Sequence, residues 1–476
     1  METALRVLSD DECSRIHEET LSVLFESGVR VDTAKGRRIL TLAGAEADEG
    51  THIVRFPRTL VEDCIKEAPQ NFSLGARRLD KSIPMNRGSC AIIMDGGAVY
   101  TYDAEAGERR TVSKDDWYLA TRLGDCLDDI EVYWSAVEGC WDHTPGDTVV
   151  YWKAIFQNFS KHIQEATITP EQSRWMLEVL QVVFGNRDEF KKNLPVSFIL
   201  CPASPLIIEA EYTDAYLETL DWGIPVAVMT MPLYGLTCPA SLISELILAN
   251  CETIAMLCLI QSAAPGTPFI YAAAPGIADM RSGRYGGGEV ENALLGAAIT
   301  EIGRMYHLPV EATVGGSDQN IPCIQAGYER ALNYTLPILK RPDLLVAPGL
   351  LGGATIFSPE QLIIDVEVIR RCKRLSLGIG SSAEKWLGEV ITTLGSGGNY
   401  LTHPSTRKLV RSGEVYYSKL GNHGAYDQWV NKGSPDLLVE IRQNIRELLE
   451  QNQPLPLPES TERELELLEK RARQNG

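Results

Sequence analysis

Two short stretches crowd chemically useful side chains among residues that cannot pack a core: "DMRSGRYGGGE" (279–289) and "EATVGGSDQN" (311–320). Arg281 or Arg284 can take a carboxylate through two parallel hydrogen bonds, or spend itself in a surface ion pair. Thr313, Ser317 and Asp318 can hydrogen-bond a ligand or cap the helix that follows them. Glu138 and Glu165 stand at the tips of extended runs, where each can orient a neighbour. The seven histidines (17, 52, 143, 162, 307, 403 and 423) show no HExxH pattern and no zinc-like pairing with cysteine. His162 and His307 begin predicted strands and read as structural, whereas His143, in a loop after a strand, is better placed for a functional role. "GIGSSA" (378–383) imitates a dinucleotide fingerprint but follows a helix, and no GxxxxGK[ST] loop exists.

The elements that must position these residues follow from composition and rhythm. At 476 residues, 44% hydrophobic and 23% charged, the chain reads as a globular enzyme. A net charge of −19 argues against nucleic acid or an anionic membrane as partner and suits a small cationic or zwitterionic ligand. Eleven cysteines sit singly with no CxxC, and no signal-peptide pattern opens the chain, so a reducing cytoplasm is expected. The longest apolar run, 242–264, carries Glu245, Asn250 and Glu252 and reads as a buried core helix rather than a membrane span.

Residues 1–112 are expected to form an α+β cap. It opens on a helix capped by Ser9 and Glu12 and closes on consecutive hairpins over 89–113. From 113 to 430, helical and short apolar extended patterns alternate. Seven strands are predicted at 130–137, 162–168, 196–201, 225–231, 268–273, 309–314 and 344–350, with an eighth sought near 390–401. The alternation implies parallel βαβ units closing into an α/β fold, a TIM-type (β/α)8 barrel. Residues 431–476 form a C-terminal helical arm around a Pro-rich hinge, suited to packing or self-association.

Over 315–369, including "LLVAPGLLGGATIFSP" (344–359), the chain resembles the trimethylamine methyltransferase family. The likeness extends to "LSDDECSRIHEETLSVLFESGVRV" (8–31), "YTYDAEAGERR" (100–110) and "GGGEVENALLGAA" (286–298). The resemblance implies a TIM-type barrel that moves a methyl group from an amine to the Co(I) corrinoid of a separate small protein. The Asp-x-His-x-x-Gly sequence that holds cobalamin in many proteins is absent, and "WDHTPGD" (141–147) has the wrong spacing, so the partner must carry the corrinoid. Neither a metal of this chain's own, nor nucleic acid, nor a membrane is expected; a homo-oligomer is.

Trimethylamine enzymes of this family carry pyrrolysine just after the strand counted seventh here, and their pattern places Gly353 at that position. The branch without pyrrolysine resembles methyltransferases for quaternary amines such as glycine betaine. A quaternary nitrogen already has a neutral amine as leaving group, so it needs neither a general acid nor a metal. The resemblance then implies a substrate held at the strand ends, with Trp141, Tyr234, Tyr271, Tyr285 and Phe357 as aromatic lining. Arg281 or Arg284 would grip a substrate carboxylate, with Asp318 and His143 as further contacts. Gly353 would leave the hole through which substrate or corrinoid approaches. Proline betaine, carnitine and γ-butyrobetaine are alternative substrates. A zinc-dependent thiol or methanol methyltransferase and a non-catalytic betaine-binding barrel are the rival classes.

Overall fold

The structure, a computed structural model, describes residues 6–103, 106–142 and 144–475. Eight parallel strands close into a barrel in chain order: β1 (Ala91–Ile93), β2 (Ile130–Tyr133), β3 (His162–Glu165), β4 (Val196–Leu200), β5 (Val226–Thr230), β6 (Phe269–Ala273), β7 (Val310–Thr313) and β8 (Leu344–Val346). An outer helix follows each: α1 (Lys114–Cys126), α2 (Pro145–Asn158), α3 (Pro170–Phe184), α4 (Ala210–Leu217), α5 (Leu242–Ala263), α6 (Glu291–Met305), α7 (Ile324–Lys340) and α8 (Pro359–Ser376). The (β/α)8 expectation therefore holds, and all seven predicted strands are present.

The eighth strand lies elsewhere than sought. Residues 390–401 hold the end of a short helix, Gly388–Leu394, and irregular chain. The missing strand is β1, inside the segment assigned to the cap. No hairpin forms across Gly96-Gly97, because both edges of β1 are taken by the barrel. Ala91 aligns with Leu344 and Ile93 with Val346 on one side, and Ile92 with Ile130 on the other. The Gly97 N–H then donates to the Ser135 carbonyl. The second expected hairpin is real, Tyr100–Asp103 pairing antiparallel with Glu108–Thr111.

Period-two alternation sorts the strand side chains. Ala91, Ile93, Val132, Ile199, Ala227, Met229, Ile270, Ala272, Leu344 and Val346 form one apolar cluster inside the ring. Their neighbours Ile92, Tyr133, Phe198, Val228, Tyr271 and Leu345 join the larger cluster under the helices. Leu74, Ile83 and Met85, from a small hairpin, extend the inner cluster and plug the N-terminal end of the barrel. At the C-terminal end the strands open onto cavities.

Helix α5 is apolar on every side because both of its sides are covered, by β5 and β6 within and by the N-terminal helices without. Two of its polar residues are paired: Asn250 donates to Thr20 and to the Tyr306 hydroxyl, and Glu252 accepts from Ser204 and the Leu206 N–H. Glu245, fully buried, has no hydrogen-bond partner among the described residues on either carboxylate oxygen. It is long and apolar enough to cross a membrane by composition, yet it packs as a core helix. The N-terminal helix Asp10–Glu26 starts on the Ser9–Glu12 capping box read from the sequence. Two C-terminal helices return to the barrel wall, Leu437–Gln451 against α8 and α1 and Glu459–Asn475 against α2 and α3.

Candidate active site at the barrel mouth

The strand ends open on two cavities on opposite sides of the ring. The first, of about 210 Å³, follows β2, β3 and β4. Trp134, Trp141, Tyr151 and Tyr212 supply aromatic walls, and Glu138, Asp142 and Glu165 supply carboxylates. Among the described residues its lining contains no arginine or lysine. Such a lining suits a small organic cation.

Local structure explains how these side chains meet. Thr144 caps α2 and Pro145 starts it, which sends the helix back along β3. The Tyr151 hydroxyl then donates to Glu165 Oε2 at 2.8 Å, and the Ala166 N–H donates to Glu165 Oε1 at 2.9 Å. Burial pushes the Glu165 carboxyl up to about 7, against the pull of these two donors. Trp141 stands edge-on to Trp117 and Tyr151, with ring centroids 5.1 and 5.5 Å away. The Lys114 ammonium already sits 4.3 Å from the Trp141 ring centroid, an attraction of the kind a bound cation would feel. Trp134 lies flat on Gly96, where an added Cβ would come within 2.5 Å of the indole.

The second cavity, of about 290 Å³, lies at the ends of β6, β7 and β8. It gathers four residues singled out in the sequence: Arg284, Tyr285, Asp318 and Gly353. Gly352, Gly353 and Ala354 take φ of +59°, +62° and +64°, a left-handed turn that favours glycine. The Gly352 and Gly353 N–H groups donate to the carbonyls of Gln319 and Ser317, clamping the β8 loop to the β7 loop. A Cβ on Gly353 would lie 3.0 Å from the Tyr285 carbonyl oxygen. The glycines thus serve a turn and a close backbone approach as well as an opening. Ser317 and Asp318 do not cap α7, whose N-cap is Cys323. The Ser317 hydroxyl and the Asp318 N–H instead both donate to Glu329 Oε2.

Other sequence candidates fall outside both cavities. Tyr271 points outward from β6, fully buried, and donates to Asn250 Oδ1 at 2.8 Å, so it cannot reach the mouth. Phe357 is buried in the packing under α8. Arg281 is exposed and paired with Asp279 at 2.9 Å. Tyr234 is half-buried in a short strand of the β5 loop. His143 lies outside the described residues.

Sequence reading missed three aromatic walls, because Tyr151 and Tyr212 come from helices and Trp134 was read as strand. It also missed Arg330, fully buried on α7, whose Nη1 donates to the Tyr334 hydroxyl at 2.8 Å and to the Ala347 carbonyl at 2.9 Å. Asp365 stands 3.8 Å from its Nε. Together they brace the end of β8. The signal was Arg330 and Tyr334 one helical turn apart in "YERALNYTLPIL".

The family model described as Trimethylamine methyltransferase (MTTB) matches residues 2–476. Trimethylamine methyltransferase MttB of Desulfitobacterium hafniense (strain DSM 10664 / DCB-2) is 28% identical over 451 residues, 95% of this chain and 90% of that protein. Glycine betaine methyltransferase of Desulfitobacterium hafniense (strain Y51) is 26% identical over 430 residues, 90% and 88% of the two chains. Among solved structures, monomethylamine methyltransferase (MtmB) of Methanosarcina barkeri overlaps 92% of each chain at 10% identity and a TM-score of 0.47.

Proposed function

The chain belongs to the trimethylamine methyltransferase family, and from that premise we propose that it moves a methyl group from a quaternary amine to the Co(I) corrinoid of a separate small protein. Glycine betaine, giving dimethylglycine, is the first substrate to test. One observation carries the reading: the cavity after β2–β4 combines aromatic walls with carboxylates.

In such a transfer the C–N bond breaks with its electron pair staying on nitrogen, so the leaving group is a neutral tertiary amine. The partner protein's reduced corrinoid would supply the electron pair that takes up the methyl group. What remains for the protein is to aim the methyl carbon out of the mouth and exclude water. The positive charge fades as the methyl departs, so a tight anionic grip would favour the ground state. Glu165, poised near 7, with rings around it gives a moderate grip instead.

The rim fits a broad, partly apolar visitor. Added Cβ atoms at Gly97, Gly139 and Gly283 would meet nothing within 4 Å, and Met231, Leu236, Met280 and Ile321 are exposed in loops at the strand ends.

A second reading places a whole zwitterion in the other cavity, favoured by Arg284, Tyr285 and Asp318 lining it together. A panel of quaternary amines, with and without a carboxylate, is incubated with Co(I) cobalamin while the Co(I) absorbance is followed. Loss of turnover in Trp141→Leu and Glu165→Gln, with Arg284→Gln unaffected, supports the aromatic cavity. The opposite pattern, confined to carboxylate-bearing amines, assigns the second. No turnover of any quaternary amine overturns the proposed substrate class.

A further inference from the structure

The cavity after β2, β3 and β4 is rich in hydrogen-bond acceptors, because four of its hydroxyls have spent their protons on the protein. The Tyr151 hydroxyl donates to Glu165 Oε2 at 2.8 Å, the Ser135 hydroxyl to the Val137 carbonyl at 2.8 Å, and the Thr148 hydroxyl to the Thr144 carbonyl at 3.1 Å. The fourth is Thr167. Its Oγ1 lies 2.6 Å from Ser173 Oγ, and Ser173 gives its own proton to the Ala215 carbonyl at 2.7 Å. The Thr167 proton therefore points at Ser173, and only lone pairs remain on Thr167 Oγ1 for a ligand.

Charge adds to the same bias. Glu138, Asp142 and Glu165 line the cavity, and among the described residues no arginine or lysine does. Lys114, 4.3 Å from the Trp141 ring centroid, is outside the lining. The donors that remain in the lining are neutral, the Trp141 indole N–H, buried without a partner, among them. A trimethylammonium head meets rings and carboxylates here and gains from both. A carboxylate on the same molecule meets like charge in a partly desolvated space, with no cation among the described lining residues to pair it. An alcohol fits where the carboxylate does not. Its proton can go to an acceptor such as Thr167 Oγ1, and its oxygen can take a neutral N–H.

We propose that this cavity selects a quaternary ammonium whose remaining arm carries a hydroxyl, a quaternary amino alcohol, over one whose arm carries a carboxylate. This selection rests on the methyl transfer proposed above and narrows its substrate, the leaving group becoming a neutral dimethylamino alcohol. The full-length protein is titrated at pH 8 with choline, tetramethylammonium, glycine betaine and the primary amide of glycine betaine, and tryptophan fluorescence is followed. Choline is expected to bind more tightly than glycine betaine by about tenfold or more. The amide, which lacks the negative charge, is expected to recover most of that difference. Glycine betaine binding as tightly as choline, or no saturable binding of choline, overturns the selection. Glu138→Gln with Asp142→Asn is expected to narrow the choline-to-betaine ratio, and Thr167→Val to remove the advantage of choline over tetramethylammonium. Both ratios unchanged overturn it as well, and a ratio within one variant is insensitive to the fraction folded. The same compounds are then offered with Co(I) cobalamin. Preferred binding of choline with no quaternary amine demethylated overturns the methyl transfer and leaves the selection standing. Demethylation of glycine betaine but not choline overturns the selection and leaves the methyl transfer standing.

Discussion

The Tyr151 hydroxyl donates to Glu165 Oε2 across 2.8 Å, joining the first outer turns of α2 to the end of β3. The bond pulls down the titration of Glu165, the buried carboxyl of the aromatic cavity, against the larger effect of burial. The Glu165 value is raised from 4.5 to about 7 chiefly by burial, so the folded protein favours the protonated acid. Stability linked to that group is complete below 4.5 and falls as pH rises through 7. A quaternary ammonium carries its charge at every pH and prefers the ionised carboxylate. Its affinity is therefore expected to rise about tenfold from pH 6 to 8. Glu165→Gln flattens that profile, and Tyr151→Phe, by removing a donor, moves its midpoint upward. Titration of tryptophan fluorescence with a tetraalkylammonium ion at each pH checks both.

Trp141→Leu keeps apolar bulk and removes the ring face. Loss of a partly desolvated cation–π contact weakens binding by about 1–2 kcal/mol, roughly five- to thirtyfold. Calorimetric titration of the same cation measures it, and a control with a neutral isostere of equal size is expected to change far less.

Gly353→Ala places a Cβ beside the Tyr285 carbonyl oxygen at a left-handed φ. Destabilisation of about 1–2 kcal/mol is expected from backbone strain. Gly353→Asn recovers part of this, because asparagine tolerates that conformation. Melting temperature and turnover measured together separate strain from obstruction. Turnover loss in the asparagine variant with a near-normal melt means that the side chain blocks the cavity.

Arg330 and Asp365 are both fully buried, and removing either alone leaves a charge without its counterpart. Arg330→Met is expected to cost about 3–5 kcal/mol, and Asp365→Asn in the same chain to restore much of it. Denaturant unfolding of the two single variants and the double variant closes the cycle.

The barrel was largely legible because β4, β5, β6 and β8 are short, largely apolar runs bounded by turn residues, as parallel strands covered on both faces require, and helical patterns alternate with them. β1 escaped because Asp95-Gly96-Gly97 imitates a hairpin turn. At the site, position along the chain was a partial guide. Arg284, Tyr285, Asp318 and Gly353 line one cavity together because they sit in loops after strands, at the end where such barrels open. Tyr271 was misplaced by one residue of alternation, since its neighbours Ile270 and Ala272 point inward and it does not. Tyr151 and Tyr212 carry no mark distinguishing them from ordinary helix packing, and only the folded path of α2 and α4 brings them to the mouth.

The pairing of Ala91 with Leu344 has a consequence for biogenesis. The ring cannot close until some 250 residues after its first strand have been made, which gives the chain a high contact order and slow closure. During synthesis β1 and β7 present bare strand edges with no partner in the emerging chain. A ribosome stalled before residue 344, or a nonsense codon there, leaves an open sheet prone to aggregate rather than a smaller working enzyme.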